Sequence, residues 1–367
     1  MPIFMDLHVV PGIEAKHAAE AHREDLKVQD DFGCRCMTYW VDEERGNAFC
    51  LIDAPNKEAV LQMHEKAHGL VPGEIIQVNS NVVDAFLGRI HDPEGIADPQ
   101  DPGLKIFNDP AFRIILVTKT MNSRLLQHQL GKNKGKQLIT LYHEIVREQL
   151  KKYEGREVEL QGEGFVASFV SVSQAVQCAI AIQKGLHVAA ELIRLRIGLN
   201  AGMPITQNKE LFGDAVKMAR YLCDIGGENQ IVMASIIHEI YKDDGQKVMD
   251  DTDKVKCINP VEENFLQMLM DTLSAQWNNP QFGVIDFCQQ TSMSKSQLYR
   301  KCTAMTGMSP NELLRDYRLQ KSLDLLKTDR NIAQTTFDSG FSSPSYFTKC
   351  FQKKFGLQPI AYLKNQA

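Results

Sequence analysis

The sequence predicts a multidomain chain of three unlike parts: an α+β segment at the N-terminus, an α/β segment in the middle and an all-α segment at the C-terminus. Three observations predict it. Two stretches, residues 89–111 and 242–260, are rich in acids and proline or glycine and divide the chain into 1–88, 112–241 and 261–367. Short strand-like runs alternate with helical patterns through the first two segments, whereas the third is helical throughout. The third segment also repeats itself. Ser296, Leu298, Arg300, Gly307 and Pro310 recur 49 residues later as Ser345, Phe347, Lys349, Gly356 and Pro359.

Composition narrows the class. The 367 residues are 43% hydrophobic and 24% charged, with a net charge of −5. No run reaches the ~18 apolar residues of a membrane span. The opening Met1-Pro2-Ile3-Phe4-Met5-Asp6 lacks the basic start and apolar core of a signal peptide. Both point to a cytoplasmic protein with no membrane partner. Nine scattered cysteines suit reduced thiols better than a disulfide framework. The charge is uneven: from residue 280 onward twelve Lys and Arg face six Asp and Glu, so the C-terminal part is basic and the remainder acidic.

In the first segment Ile3 to Val10 reads as a strand and Glu14 to Asp31 as a helix. Cys36 to Val41 and Ala48 to Ile52 read as a hairpin turned at Glu44-Arg45-Gly46-Asn47. Asn56 to His68 is a helix capped by Asn56, and Glu74 to Val78 a final strand. The order βαββαβ is ferredoxin-like. Histidines concentrate in this segment. His64 and His68 stand at i and i+4 on one helix face, a chelating spacing. Asp6 and His8 share a strand face, and His22 lies with Asp25 on the first helix. Imidazoles with carboxylates suit nickel, zinc, copper or iron. The runs Met5-Asp6-Leu7-His8, Ala21-His22-Arg23-Glu24-Asp25-Leu26, Tyr39-Trp40, Phe49-Cys50-Leu51 and Ala67-His68-Gly69-Leu70-Val71-Pro72 resemble a small family of ferredoxin-like domains, some described as nickel-binding. The resemblance implies a transition metal, nickel or zinc, with His8, His22, His64 and His68 as candidate ligands. The plainer alternative is surface histidines on an interaction domain.

In the middle segment strands are expected at Arg113 to Thr118, Glu157 to Leu160, Gly164 to Phe169, Leu195 to Ala201 and Gln230 to Met233. Helices are expected at Gln137 to Tyr153, Ser173 to His187 and Gly213 to Cys223. The runs Glu157 to Phe165, Ser173 to Gln183, Leu195 to Gly202 and Phe212 to Val216 resemble the class III adenylate/guanylate cyclase domain. That family holds two metal ions on two carboxylates. Here Thr118-Lys119 stands where the first metal-binding Asp is expected, and Glu163 stands at the second. Glu159 replaces the base-reading Lys, while Lys217 and Tyr221 replace the Asn and Arg that steady the transition state. The resemblance therefore implies a degenerate, non-catalytic domain, one that binds a ligand or pairs two chains into a homodimer.

In the third segment each repeat reads as a short helix, a turn and a second helix. Val284 to Gln290 leads to a helix capped by Ser294, and Ile332 to Asp338 to one capped by Ser343 with Pro344 at its first turn. Gly307 and Gly356 end these helices, and Ser309-Pro310-Asn311-Glu312 is a capping box that starts the joining helix. Leu298, Cys302, Phe347 and Phe351 point inward. Lys295, Ser296, Gln297, Tyr299, Arg300, Ser343, Ser345, Tyr346 and Lys349 are candidate contacts to double-stranded DNA. The runs Ser294 to Arg300, Gly340 to Ser343 and Phe351 to Pro359 resemble the DNA-binding domain of the AraC/XylS regulators. By position that resemblance implies base-facing roles for Ser296, Tyr299, Arg300, Ser345 and Lys349. Pro344 departs from it where a polar reader is usual.

The expected function is a DNA-binding transcriptional regulator, not an enzyme, with two preceding domains that sense a metal or small-molecule effector or assemble the dimer. The alternatives are a divergent nucleotide cyclase fused to a DNA-binding domain, and a metal-binding protein.

Overall fold

The computed structural model describes residues 1–94, 101, 104–120, 122–161, 164–189, 193–206, 209–245, 254–328 and 330–364. Its first domain follows the expected order: β1 (Ile3–Val9), α1 (Ala15–Val28), β2 (Arg35–Asp42), β3 (Asn47–Asp53), α2 (Lys57–Ala67) and β4 (Glu74–Val78). The antiparallel sheet runs β2-β3-β1-β4. Asn56 caps α2 by accepting the Ala59 N–H, as its position predicts. A helix that the periodicity does not reveal, α3 (Ser80–Leu87), follows β4.

Alternation along β1 decides what each face buries. Phe4, Asp6 and His8 turn toward α1 and α2, whereas Met5 joins the opposite face with Trp40, Phe49 and Leu51. That opposite face is covered by α3 and by side chains of the middle domain, among them Ile115, Val117 and Phe212. Residues 104–110 fall in the stretch that composition marks as a linker, yet they are packed. Leu104 and Phe107 are buried with Ile13, Ala18, Tyr39 and Val41. Arg89 reaches Asp109 at 3.1 Å and lies 4.5 Å over the Trp40 ring. Acids and prolines alone cannot announce this, because the contacts are made by two apolar residues between them.

The middle domain comprises β5 (Arg113–Lys119), α4 (Ser123–Leu130), α5 (Lys132–Lys152), β6 (Arg156–Gln161), β7 (Gly164–Phe169), α6 (Val172–Ala189), β8 (Arg196–Gly202), α7 (Gly213–Ile225), β9 (Gln230–Met233), α8 (Ser235–Asp243) and β10 (Val255–Cys257). The six-stranded sheet runs β10-β9-β8-β5-β7-β6, parallel on the β10-β9-β8 side and antiparallel elsewhere. Strand β10 arises inside the stretch expected as the second linker, and Ile258 behind it is buried. At Gly198 a side chain would meet the Ala219 carbonyl oxygen at 2.1 Å, so glycine lets α7 lie directly on β8.

The C-terminal part is α9 (Pro260–Gln276), α10 (Val284–Gln290), α11 (Lys295–Thr306), α12 (Pro310–Leu325), α13 (Ile332–Asp338), α14 (Pro344–Phe355) and α15 (Pro359–Lys364). The two helix pairs have different cores. Phe287, Leu298 and Cys302 of the first pair continue the core of the middle domain through α9. Phe341, Phe347, Phe351 and Phe355 of the second pair form a separate core with Leu319, Leu323 and Tyr362. Leu125 of α4 joins that second core, and Tyr362 donates to Asn122 at 3.3 Å.

Candidate DNA interface and metal centre

Local chemistry sets both recognition helices. Ser294 accepts the Gln297 N–H, and the Gln297 side chain accepts the Ser294 N–H at 3.1 Å, closing a capping box. Ser343 accepts the Tyr346 N–H, with Pro344 in the first turn. Gly307 and Gly356 end α11 and α14 with φ of 70° and 78°. Ser309 and Glu312 form the capping box of α12. Gly340, in the turn of the second unit, has φ of 76° and sits against the Trp277 carbonyl oxygen and the Arg318 side chain.

With Leu298 and Phe347 buried, the faces turned outward follow. Lys295, Ser296, Gln297 and Arg300 are exposed on α11, and Ser345, Tyr346 and Lys349 on α14. Three of the expected contacts are already engaged. Ser343 is half-buried as the α14 cap, and Gln297 spends its side-chain oxygen on the α11 cap. Tyr299 is half-buried, and its hydroxyl accepts from Asn311 at 3.3 Å. Among the expected contacts, Lys295, Arg300 and Lys349 are exposed cations, with exposed Ser296, Ser345 and Tyr346 beside them.

In the first domain the sheet and helices enclose a polar cluster. Asp6, His8, His22, Asp25 and His64 are all buried. His64 lies at its centre, with Nε2 2.8 Å from Asp6 Oδ2 and Nδ1 2.9 Å from Asp25 Oδ1. His68 Nε2 stands 3.2 Å from Asp25 Oδ1. Burial opposes ionisation of both His64 and Asp6, but their mutual attraction wins. The two carboxylates raise the His64 imidazole to about 10, while His8 and His64 hold the Asp6 carboxyl well below the usual carboxylate range. Donor atoms of Asp6, His8, Cys50 and His64 all lie within 4.8 Å of one another, and so do those of Asp25, His64 and His68. His8 Nε2 is buried without a hydrogen-bond partner, 3.4 Å from Asp6 Oδ1. An orphaned imidazole nitrogen in a nitrogen, oxygen and sulphur donor set fits a transition-metal ion.

The structure therefore brings together His8, His64 and His68, and sets His22 apart. His22 lies beside Tyr39, with ring centroids 5.2 Å apart, and stands 3.5 Å from Asp92, outside both donor groups. Cys50 was not foreseen as a donor. It is remote from Asp6 in sequence, and only the pairing of β1 with β3 carries it there.

In the middle domain the positions implied for cyclase chemistry are otherwise engaged. Thr118 is buried, 2.6 Å from the Tyr142 hydroxyl. Lys119 pairs with Asp224, and Glu159 with Arg220 at 2.9 Å. Lys217 and the Tyr221 hydroxyl both hold Asp271 of α9, at 2.8 and 2.6 Å. Glu163 lies outside the described residues. A cleft of about 1920 Å³ separates β5, β6 and α7 from the ends of α11 and α14, with Lys119, Arg196, Lys256, Lys353 and Lys354 on its walls.

Comparison with known proteins agrees with this division. Residues 287–365 match the helix-turn-helix domain family, and residues 4–78 match the family of nickel responsive proteins like SCO4226. The HTH-type transcriptional activator RhaR of Pectobacterium atrosepticum is 37% identical over 98 residues, 26% of this chain and 34% of the relative. The crystal structure of SCO4226 from Streptomyces coelicolor A3(2) is 36% identical, covering 21% of this chain and 94% of that one, with a TM-score of 0.20. An adenylate/guanylate cyclase/hydrolase structure from Silicibacter pomeroyi is 25% identical, covering 38% of this chain and 91% of that one, with a TM-score of 0.32. The chain spans only part of the curated relatives it matches, 8% of one and 34% of another. It joins three domains: an SCO4226-like domain of the nickel-responsive family, a cyclase-like domain and a C-terminal AraC-type helix-turn-helix domain.

Proposed function

We propose that this protein is a cytoplasmic, sequence-specific DNA-binding transcriptional regulator whose first two domains sense a signal and assemble a homodimer. The observation that carries the reading is the duplicated recognition face. Two helices with matching caps, 49 residues apart in sequence, turn Lys295, Ser296 and Arg300 on one and Ser345, Tyr346 and Lys349 on the other toward solvent. Each would enter a major groove, and neighbouring grooves on one face of a duplex lie ~34 Å apart. Arg300 would read a guanine edge through its guanidinium, while Lys295 and Lys349 hold phosphates. No helix among the described residues is long and apolar enough to cross a membrane.

The buried cluster of the first domain supports a transition metal, nickel or zinc, as the signal. Asp6, His8 and His64 would hold it, with His68 on the far side of His64. Such an ion, once bound, would supply fixed positive charge among the carboxylates and tie β1 to α2. The middle domain is read as a non-catalytic coupling element. Lys119, Glu159, Lys217 and Tyr221 each hold an ion pair or hydrogen bond within the chain, two of them to the first helix of the DNA-binding part.

The test is fluorescence anisotropy at fixed salt with DNA selected by the full chain from random duplexes. Arg300→Ala is expected to weaken specific binding by ~1–3 kcal/mol and relax the preference at one base position. Unchanged affinity and preference would remove Arg300 from the interface. Formation of cyclic nucleotide from ATP or GTP with Mn²⁺ would overturn the non-catalytic reading of the middle domain.

A further inference from the structure

The two donor groups of the first domain share a single residue, His64, and they use opposite nitrogens of its ring. Nε2 faces Asp6 and Nδ1 faces Asp25. Among the described residues, the Nε2 side has three further donors, Asp6, His8 and Cys50, and the Nδ1 side has two, Asp25 and His68. The Cys50 N–H donates to Asp6 Oδ1 at 2.9 Å, which fixes that carboxylate with Oδ2 toward His64. Strand β3 thus contributes twice, orienting Asp6 with its backbone and offering the Cys50 sulphur. Resting on the metal reading above, we infer that a borderline-to-soft divalent transition-metal ion is held on the Nε2 side of His64 by Asp6, His8, His64 and the Cys50 thiolate, with Asp25 as the positioning residue on Nδ1.

Donor chemistry selects that side. One carboxylate, two imidazoles and one thiolate are too few oxygens for calcium or magnesium and the right mixture for nickel, zinc or cobalt. A carboxylate on the second nitrogen of a metal-binding histidine fixes its tautomer and ring orientation, and Asp25 stands there at 2.9 Å. Coordination would form metal–sulphur and metal–nitrogen bonds and send two protons to solvent, the Cys50 thiol proton and the His64 Nε2 proton, leaving Nδ1–H toward Asp25 and no change of oxidation state. His68 Nε2 stands 3.2 Å from both Asp25 Oδ1 and His64 Nδ1, on the side of the ring away from Asp6.

The test is titration of the metal-free full-length protein with cobalt(II) alone, followed by near-ultraviolet absorption and calorimetry. One ion per chain and a thiolate-to-metal charge-transfer band are expected. Cys50→Ser is expected to lose the band while still binding cobalt more weakly, and Cys36→Ser to retain it. Asp25→Asn is expected to keep the band and bind about 10- to 100-fold more weakly. Cobalt bound by the wild type without the band, or a band that survives Cys50→Ser, overturns the inference and leaves the metal reading standing. Two ions per chain, one of them lost in His68→Ala, overturns the choice of side. No cobalt, nickel or zinc bound by the wild type overturns the metal reading itself.

Discussion

At the scale of single residues, position on a recognition helix separates readers from caps. Ser343 and Ser345 are two residues apart, yet one accepts the Tyr346 N–H and the other faces solvent. Ser343→Ala should cost the stability of α14 about 0.5–2 kcal/mol through the lost cap. Ser345→Ala should leave stability within about 0.5 kcal/mol and act only on DNA affinity. Thermal melts beside anisotropy titrations distinguish the two; a stability loss in the Ser345 variant would contradict the assignment. The same distinction applies to Gln297, whose side-chain oxygen is occupied by the Ser294 N–H. In the first domain His64 shows how residue type alone underdetermines role. The i, i+4 spacing with His68 suggests a chelating pair, but the ring is gripped by one carboxylate on each nitrogen.

At the scale of elements, the two helix-turn-helix units are equal in pattern and unequal in support. The second unit has its own aromatic core, so Phe347→Ala should remove about 3–5 kcal/mol and unfold that unit before the rest. Leu298 belongs to the core shared with the middle domain, so Leu298→Ala should lower the main transition. Urea melts read by circular dichroism check this: an early separate transition is expected for Phe347→Ala and none for Leu298→Ala. The junction of α7 with α9 is pH-sensitive in a defined direction. Burial, followed by the bond to Asp271, raises the Tyr221 hydroxyl above its ordinary value of 10. A raised acid favours the docked state fully below pH 10 and loses that contribution as pH climbs toward the docked value. Melting temperature should therefore fall more steeply above pH 10 in the wild type than in Tyr221→Phe; equal slopes would remove Tyr221 from the junction.

At the scale of the whole molecule, the three domains are bound by continuous packing. The open sheet face of the first domain is buried against α3 and the middle domain, and Asp271 ties α9 to α7. The two units meet the middle domain differently: the first shares its core through α9, and the second touches it through Leu125 of α4. Removing residues 1–88 would bare Ile115, Val117 and Phe212, so the truncated chain should aggregate; a stable, monodisperse product in light scattering would contradict the packing. Much of this was legible in the sequence. Periodicity determined the βαββαβ order, β4, β7 and β9 to the residue, and both helix-turn-helix units. The caps at Asn56, Ser294, Ser309 and Ser343 were readable too, because capping is a local bargain between neighbours in the chain. Other elements escaped: α3, α4, α8 and β10 are not marked by the pattern, and tertiary burial decides them. The sequence alone determined which chemistry is present, a basic reading face and a histidine-rich domain. Only the tertiary structure decided that Cys50 stands with Asp6, that His22 stands apart, and that Lys217 and Tyr221 bind Asp271. Those relations span strands and domains distant in sequence, and distance along the chain carries no signal about where a strand register or a docked helix will bring two side chains.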